Sequence, residues 1–187
     1  MLAQALMDLV QHLIKYISRR RQLANMKYLS LFLAIGLARA ATIVVSDAQP
    51  GNEGSRAVDG NPSTFWHSVY SPSNYPLPHT ATVDLGGAQL LNGFNYLPRQ
   101  DGNANGRIGQ FTLEASEDGS SWTQVASGTW VDDPSRKHVG FPNRNVRYLR
   151  IKAITEAGNR GPWTSAAEFG VNLAPTGNPS VSSHVAM

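Results

Sequence analysis

The chain has 187 residues, a length that suits one domain of ordinary size with tails. It contains 16 lysines and arginines and 13 aspartates and glutamates, but residues 1–40 hold six of the basic residues and one of the acidic ones. The rest is therefore mildly acidic, with 10 basic and 12 acidic residues, which removes the electrostatic argument for nucleic-acid binding.

The first 40 residues read as targeting sequence and not as part of a folded domain. Residues 26–40 contain a cation at Lys27, an apolar run from Leu29 to Ala38, and small residues before a cleavage point after Ala40. This pattern predicts a secretory signal peptide, and hence a secreted, extracellular protein. The run is too short to span a bilayer comfortably, so we expect no stable membrane insertion.

Residues 1–25 precede this signal, and three interpretations of them stay open. Their leucines fall on one helical stripe, which three consecutive arginines follow. The stretch is an upstream extension created by the gene model with the true start at Met26, an extended basic region of the signal, or an amphipathic targeting helix. We favour the first, because a basic amphipathic helix and a secretory apolar run are conflicting signals. The amino-terminal segment is thus expected to be disordered or helical.

Residues 41–173 predict an all-β domain. Apolar and polar residues alternate over 81–85, 111–115 and 148–153, as is typical of half-buried antiparallel strands. Turns are predicted at four dipeptides: Asp59-Gly60, Gly86-Gly87, Asp101-Gly102 and Asp118-Gly119. Many short strands with glycine-rich turns favour an antiparallel β-sandwich or jelly roll. Residues 174–187 are rich in Pro, Ser, Gly and Asn, and we expect a disordered tail.

An acidic loop offers oxygen ligands for a hard cation. Asp59 and Glu168 are carboxylates, Thr64 has a hydroxyl, and Asn61 and Arg56 have main-chain carbonyls. Calcium binds about six to eight such oxygens, and two carboxylates balance its charge. A second interpretation is an Asp-Gly turn with an unrelated surface glutamate, and the spacing alone leaves both open.

The aromatic residues divide between strand and loop contexts. We expect those in strand-like segments to lie in the core: Trp66, Phe111 and Trp122. Three others lie in loops, where they are either half-buried or platforms for the apolar face of a sugar ring: Tyr70, Tyr75 and Trp163. The loop 99–106 has donors and acceptors suited to sugar hydroxyls, or it is an ordinary polar hairpin loop.

Catalytic patterns are missing from the sequence. It has no Gly-x-Ser-x-Gly, no phosphate loop, no dinucleotide fingerprint and no His-x-x-x-His spacing for zinc. The adjacent Asp132 and Asp133 would point to opposite faces of a strand and make a poor acid–base pair. We therefore expect a binding module and not an enzyme.

Six motifs in order carry a family resemblance that covers about Asp47 to Val171. The first reads Ala57-Val-Asp-Gly-Asn-Pro-Ser-Thr-Phe-Trp-His67, and the others are residues 78–85, 97–106, 125–130, 147–156 and 162–168. The chain resembles the discoidin-like, galactose-binding modules of carbohydrate-binding module family 32, among them the amino-terminal domain of galactose oxidases. The resemblance implies a β-sandwich jelly roll of about eight strands.

The same resemblance implies a structural calcium ion. Its ligands would be two carboxylates, both oxygens of a threonine and three main-chain carbonyls: Asp59, Glu168, Thr64, Arg56, Asn61 and Ala167. The ion would join an early loop to the last strand, as a non-covalent crosslink in a chain without cysteine.

For the sugar site, the resemblance implies a histidine, an arginine, a polar side chain and a stacking aromatic: His67, Arg99, Asn105 and Trp163. Tyr70 and Glu53 would lie on the rim. The histidine and the arginine would hydrogen-bond the ring hydroxyls, including the axial one of galactose, and the indole would stack on the apolar face. Galactose is the default sugar, because the loops change specificity within the family.

Two departures from these relatives matter. Val45 and Gly54 stand where galactose oxidase has a disulfide, and the absence of cysteine excludes that enzyme's tyrosine–cysteine copper site and its chemistry. We predict a secreted, stand-alone carbohydrate-binding module for galactose-containing glycans, stabilised by calcium. The main alternative is a non-catalytic structural or docking domain, left from a truncated galactose-oxidase-like protein, with a vestigial sugar site. An adhesion domain that binds protein or lipid through apolar loops is less favoured.

Overall fold

The computed structural model describes residues 41–175. The expected upstream extension, the signal peptide and the tail after residue 175 lie outside this part of the chain. The described residues form eight strands and one short 3-10 helix at Gly54–Ala57. The strands are β1 (Thr42–Val45), β2 (Trp66–His67), β3 (His79–Leu97), β4 (Gln110–Ser116), β5 (Thr123–Thr129), β6 (Lys137–Ala153), β7 (Ser165–Ala166) and β8 (Glu168–Leu173). Within this part, no helix has the length and hydropathy needed to cross a membrane.

The predicted all-β fold is confirmed, and the period-two segments lie inside β3, β4 and β6. The buried residues of the first segment are Ala81, Val83 and Leu85, whereas Thr82 and Asp84 between them are half-exposed. Because successive side chains of a strand point to opposite faces, this alternation puts one face of β3 in the core.

The two longest strands are shared between the layers of the sandwich. The larger sheet has the order β1-β3-β6-β4-β5, and β8 joins it by pairing with β3. The first part of β3 pairs with β1 and with the end of β6, whereas its last part pairs with β8 and with the start of β6. The register of β3 against β6 shifts between Asp84 and Gln89, and such irregularities bend a strand from one layer into the other.

A stack of aromatic rings fills part of the core. Trp130 lies flat on Phe111, with ring centroids 3.8 Å apart, and its other neighbour Tyr96 is at 5.2 Å. The buried hydroxyl of Tyr96 donates to the carbonyl of Ser165 at 2.9 Å and accepts from the amide of Ile108 at 3.2 Å. Burial raises the pKa of Tyr96 above its usual value, so this phenol stays protonated and holds β7 against the loop before β4.

Two local predictions are wrong. Trp122 is half-buried and not in the core, because it precedes the edge strand β5 and is covered on one face by the Arg150 guanidinium, 4.0 Å from the ring centroid. Gly86-Gly87 does not reverse the chain, because both residues lie within β3. Gly86 has a φ of 76°, which marks the irregularity in the ladder and not a hairpin turn.

Val45 and Gly54, the positions that correspond by resemblance to a disulfide of galactose oxidases, lie in direct contact. A Cβ atom added at Gly54 would lie 2.8 and 2.9 Å from the two methyl groups of Val45, and 3.5 Å from its Cβ. The valine methyls therefore occupy the space that a side chain at position 54 would need. The contact joins β1 to the 3-10 helix without a covalent bond.

Candidate functional site

A cleft of about 370 Å³ opens among loops that follow β2, β3 and β6. Its lining residues are Asn52, Phe65, His67, Tyr70, Arg99, Asn103, Asn105 and Trp163. Five of the six residues expected in the sugar site are among them, although they come from segments far apart in the chain. Glu53 is the exception and does not line the cleft: it is exposed, and its carboxylate accepts from the amide of Gly51 at 2.7 Å.

His67 enters the cleft from the short pairing of β2 with β7, in which it lies opposite Ser165. Its side chain is buried, and its Nδ1 lies 2.7 Å from the carbonyl oxygen of Ser68. Since a carbonyl only accepts, the proton belongs on Nδ1, which leaves Nε2 as an acceptor. Burial lowers the pKa of His67, the hydrogen bond to Ser68 opposes this, and the positive charge of Arg99 adds to the lowering. The imidazole is therefore neutral at pH 7.

Arg99 is fixed by two partners that the sequence prediction did not include. Its Nε and Nη2 donate to the carboxylate of Asp101 at 2.8 and 2.5 Å, and its guanidinium lies 4.2 Å from the ring centroid of Phe65. The hydrogen bonds from Arg99 lower the pKa of Asp101, which keeps the carboxylate charged. In the described part of the chain Nη1 has no such partner, so its donors remain available.

The signal for these two partners was present in the sequence. Asp101 follows Arg99 by two residues in the same loop, a spacing that allows the bidentate pair. Phe65 precedes His67 by two residues, and alternate residues of an extended segment lie on the same face.

Trp163 lines the cleft from the loop that follows β6. A Cβ atom at Gly161 would lie 2.8 Å from carbons of the indole, so the ring packs directly on the glycine backbone. The indole Nε1 is buried and has no hydrogen-bond partner among the described residues. The preceding carbonyl, of Pro162, lies 2.9 Å from Nε2 of the buried His79, whose Nδ1 lies 2.8 Å from the Asp47 carboxylate. This chain of contacts anchors the loop that presents the indole.

The loop between β3 and β4 is held to β7 by its main chain. The amide of Ser165 donates to the carbonyl of Gly106 at 2.7 Å, and the Ser165 hydroxyl donates to the carbonyl of Asn105 at 3.0 Å. Gly106 has a φ of 82°, and a Cβ atom there would lie 2.8 Å from the Ser165 nitrogen. The amides of Asn103 and Asn105 are thus carried on a backbone that is itself fixed.

The acidic loop brings part of the expected cation site together. Asp59 accepts hydrogen bonds from the amide of Asn61 at 2.8 Å and from the hydroxyl of Thr64 at 2.7 Å. That hydroxyl lies 2.9 Å from the carbonyl oxygen of Asn61. Burial opposes but does not outweigh these hydrogen bonds, which lower the pKa of Asp59. Its carboxylate is therefore ionised at neutral pH.

Glu168 meets this loop from the start of β8. Burial raises the pKa of Glu168, and the neighbouring charge of Asp59 raises it further. Its Oε1 is buried without a hydrogen-bond partner in the described part of the chain. Two adjacent carboxylates with an orphaned oxygen fit a hard divalent cation, which would relieve both the repulsion and the missing contact.

Main-chain oxygens would have to complete such a site. Within residues 41–175, no cluster of three or more His, Cys, Asp or Glu side chains could hold a metal. Arg56 lies in the 3-10 helix just before Asp59, and the buried Ala167 directly precedes Glu168. Both therefore stand next to the carboxylate pair in the chain, as a calcium site with carbonyl ligands requires.

The family model of the F5/8 type C domain matches residues 42–169. The chain belongs to the F5/8 type C, or discoidin-like, family. Over 131 residues it is 48% identical to a galactose oxidase of Gibberella zeae, in a match that covers 69% of this chain and 19% of the oxidase. The chain thus spans about a fifth of the length of that curated relative.

Solved carbohydrate-binding modules share this F5/8 type C fold. A family 32 module of Clostridium perfringens in complex with GalNAc-β-1,3-galactose is 34% identical with a TM-score of 0.66, and the match covers 71% of this chain and 95% of that one. Another C. perfringens family 32 module, in complex with galactose, is 31% identical with a TM-score of 0.64, and the match covers 71% and 93%. The predicted family and jelly-roll fold are confirmed, as is the prediction that this domain is a carbohydrate-binding module and not a catalytic domain.

Proposed function

We propose that the cleft is a sugar-binding site for galactose-type sugars. The observation that carries this proposal is the convergence of His67, Arg99, Asn105 and Trp163 on one concave surface. The surface combines an aromatic wall with a few fixed polar groups, which is the composition of small-ligand sites in general. The solved relatives in complex with galactose or a galactose-containing disaccharide support the same ligand class.

The polar groups have complementary roles toward adjacent hydroxyls. Nε2 of His67 accepts from one hydroxyl, because its Nδ1 is committed to Ser68. Nη1 of Arg99 donates to a neighbouring hydroxyl oxygen, because its other nitrogens are held by Asp101. Two hydroxyls on neighbouring carbons of a pyranose, one of them axial, can present one donor and one acceptor on the same side of the ring. The opposite, apolar face of the ring is then free to lie on Trp163.

The charges in the cleft favour a neutral sugar. Asp101 balances Arg99, and the lowered pKa of His67 leaves the imidazole uncharged. The other lining residues are asparagines and uncharged aromatics. A sugar carboxylate would find no unpaired cation in the cleft to bind, and the ammonium group of an amino sugar would find no unpaired carboxylate.

We further propose that calcium stabilises the domain. Asp59, Glu168 and Thr64 would bind it through side chains, and Arg56, Asn61 and Ala167 through carbonyls. Bound calcium would neutralise the carboxylate pair and crosslink the 59–64 loop to β8. Secretion remains part of the proposal and depends on residues 26–40. It agrees with calcium, which is plentiful outside cells.

Titration calorimetry of the chain with methyl β-galactoside tests the sugar site. Trp163→Ala should weaken binding at least tenfold, about 1.4 kcal/mol, because it removes the apolar wall. Trp122→Ala is the matched control, since this half-buried indole lies at the edge strand and does not line the cleft. Equal affinities of Trp163→Ala and the unmodified chain would remove the indole from the site. No binding by the unmodified chain would favour the non-catalytic structural domain with a vestigial site.

A further inference from the structure

One guanidinium joins two of the loops that form the cleft, although it does not line the cleft itself. Arg160 donates from Nη1 to Asp132 Oδ2 at 2.6 Å, and from Nη2 to Asp132 Oδ1 at 2.9 Å. The same Nη2 lies 2.5 Å from a carboxylate oxygen of Glu156 and 2.9 Å from the carbonyl oxygen of Ala104. Three separate loops therefore meet at one side chain.

The contact with Ala104 is the one that reaches the sugar site. Ala104 lies between Asn103 and Asn105, whose side chains line the cleft, and Arg160 precedes Trp163 by three residues. The Arg160–Ala104 hydrogen bond thus spans from the loop that carries the indole to the loop that carries the two amides. Both of these loops line the cleft.

The surroundings of Arg160 hold the guanidinium in this one place. The Glu156 side chain is 1% exposed, and its second oxygen accepts from the amides of Gly158 and Arg160 at 2.9 and 2.8 Å. A Cβ atom at Gly158 would lie 1.9 Å from Nη1, so the guanidinium lies directly over the glycine backbone. The glycine and the buried carboxylate leave the side chain little freedom.

We propose that Arg160 is a positioning residue for sugar recognition, which sets the separation between Trp163 and the amides of Asn103 and Asn105. This inference rests on the proposed sugar-binding function of the same cleft. Lysine cannot replace the arginine, because a single ammonium lacks the planar fork that reaches two carboxylates and a carbonyl together.

Two variants of different kinds test the proposal. Arg160→Gln removes the guanidinium, whereas Gly158→Ala keeps it but fills the space over which it lies. Arg150→Gln is the control: it removes a guanidinium paired with Glu114 at 2.7 Å, on strands away from the cleft. Titration with methyl β-galactoside, below the melting temperature of every variant, should show at least fivefold weaker binding for both test variants. The control should bind within twofold of the unmodified chain.

A second measurement needs no sugar. In ¹H–¹⁵N spectra, the indole peak of Trp163 and the side-chain amide peaks of Asn105 should shift in both test variants and stay in place in Arg150→Gln. The indole peak of Trp66, which donates to the carbonyl of Asp47 at 2.9 Å, reports whether the core is unchanged. Gly158→Ala retains every charge, so it keeps the test decisive if Arg160→Gln fails to fold.

The outcomes separate this inference from the function on which it rests. If the unmodified chain binds no sugar, the proposed function is contradicted. The ligand-free spectra then decide whether Arg160 positions Trp163 and the two asparagine amides. Test variants that bind sugar as tightly as the unmodified chain overturn the inference while the function stands. Trp163 and Asn105 peaks that stay in place in both test variants overturn it as well.

Discussion

Adding a covalent link between β1 and the 3-10 helix should stabilise the domain. An added Cβ at Gly54 would lie 3.5 Å from the Cβ of Val45, within the range of about 3.5–4.5 Å found in disulfides. In Val45→Cys/Gly54→Cys, the sulfurs would take the space of the two valine methyls. Gly54 has no left-handed backbone angle, so cysteine fits its main chain.

The expected gain follows from the length of the closed loop. The two positions are nine residues apart, and closing such a loop removes about 2.6 kcal/mol of chain entropy from the unfolded state. For a domain of this size, each kcal/mol raises Tm by about 3–4 °C, so the oxidised variant should melt about 9 °C above its own reduced form. Because the oxidised and reduced forms of the variant both lack the valine methyls, the difference between their Tm values does not contain the effect of the lost valine packing.

Circular dichroism melts with and without reductant, together with a thiol count in denaturant, measure this effect. Gly54→Cys alone should lower Tm, because its Cβ would lie 2.8 Å from a methyl group of the retained Val45. Val45→Cys alone should cost about 1 kcal/mol through lost methyl packing. Two free thiols after oxidation, or an oxidised form that melts no higher than the reduced one, would refute the geometric reasoning.

Three further predictions concern the two sites. Sugar affinity should be constant over the neutral range and fall only below the ordinary pKa of histidine, because burial lowers the pKa of His67 and a protonated Nε2 cannot accept a hydrogen bond; calorimetry that shows affinity already falling between pH 8 and pH 7 would contradict this. Chelation of calcium should lower the Tm of the unmodified chain. Glu168→Gln should raise the Tm of the metal-free protein and remove the response of Tm to calcium, because the raised pKa of Glu168 means that its ionised form destabilises the fold. His79→Leu should lower the free energy of unfolding by about 3 kcal/mol, because the Asp47 carboxylate and the carbonyl of Pro162 both lose the imidazole as a hydrogen-bond partner. An unchanged midpoint of urea denaturation would contradict this.

Periodicity predicted the strands because it reports which face a residue occupies, and burial decides that face. It did not predict their length, since β3 continues through Gly86-Gly87 where the composition indicated a turn. A glycine pair signals a positive φ, but the same angle serves a bulge and a hairpin. The difference depends on β6, which keeps pairing with β3 on both sides of the irregularity.

The candidate site was predictable only as far as the family resemblance placed each residue. His67 and Trp163 lie in short motifs that the resemblance covers, and the structure brings them to one cleft. Asp101 and Phe65 were missed although their spacing permits the contacts, because whether they fix Arg99 depends on the path of a loop. The sequence did not predict the role of Arg160 for the same reason, since its partners come from three loops.

The close contact at Gly106 separates what can vary in this cleft from what cannot. Any larger residue there would push the loop off the Ser165 nitrogen, whereas the Asn105 side chain projects from a main chain that is held by Ser165 and by Oδ1 of Asn103, which accepts from the Asn105 amide at 2.9 Å. New ligand preferences can therefore arise by exchanging the side chain at 105 without disturbing the framework. A combinatorial library for altered glycan choice should randomise position 105 and leave Gly106 and Asn103 untouched.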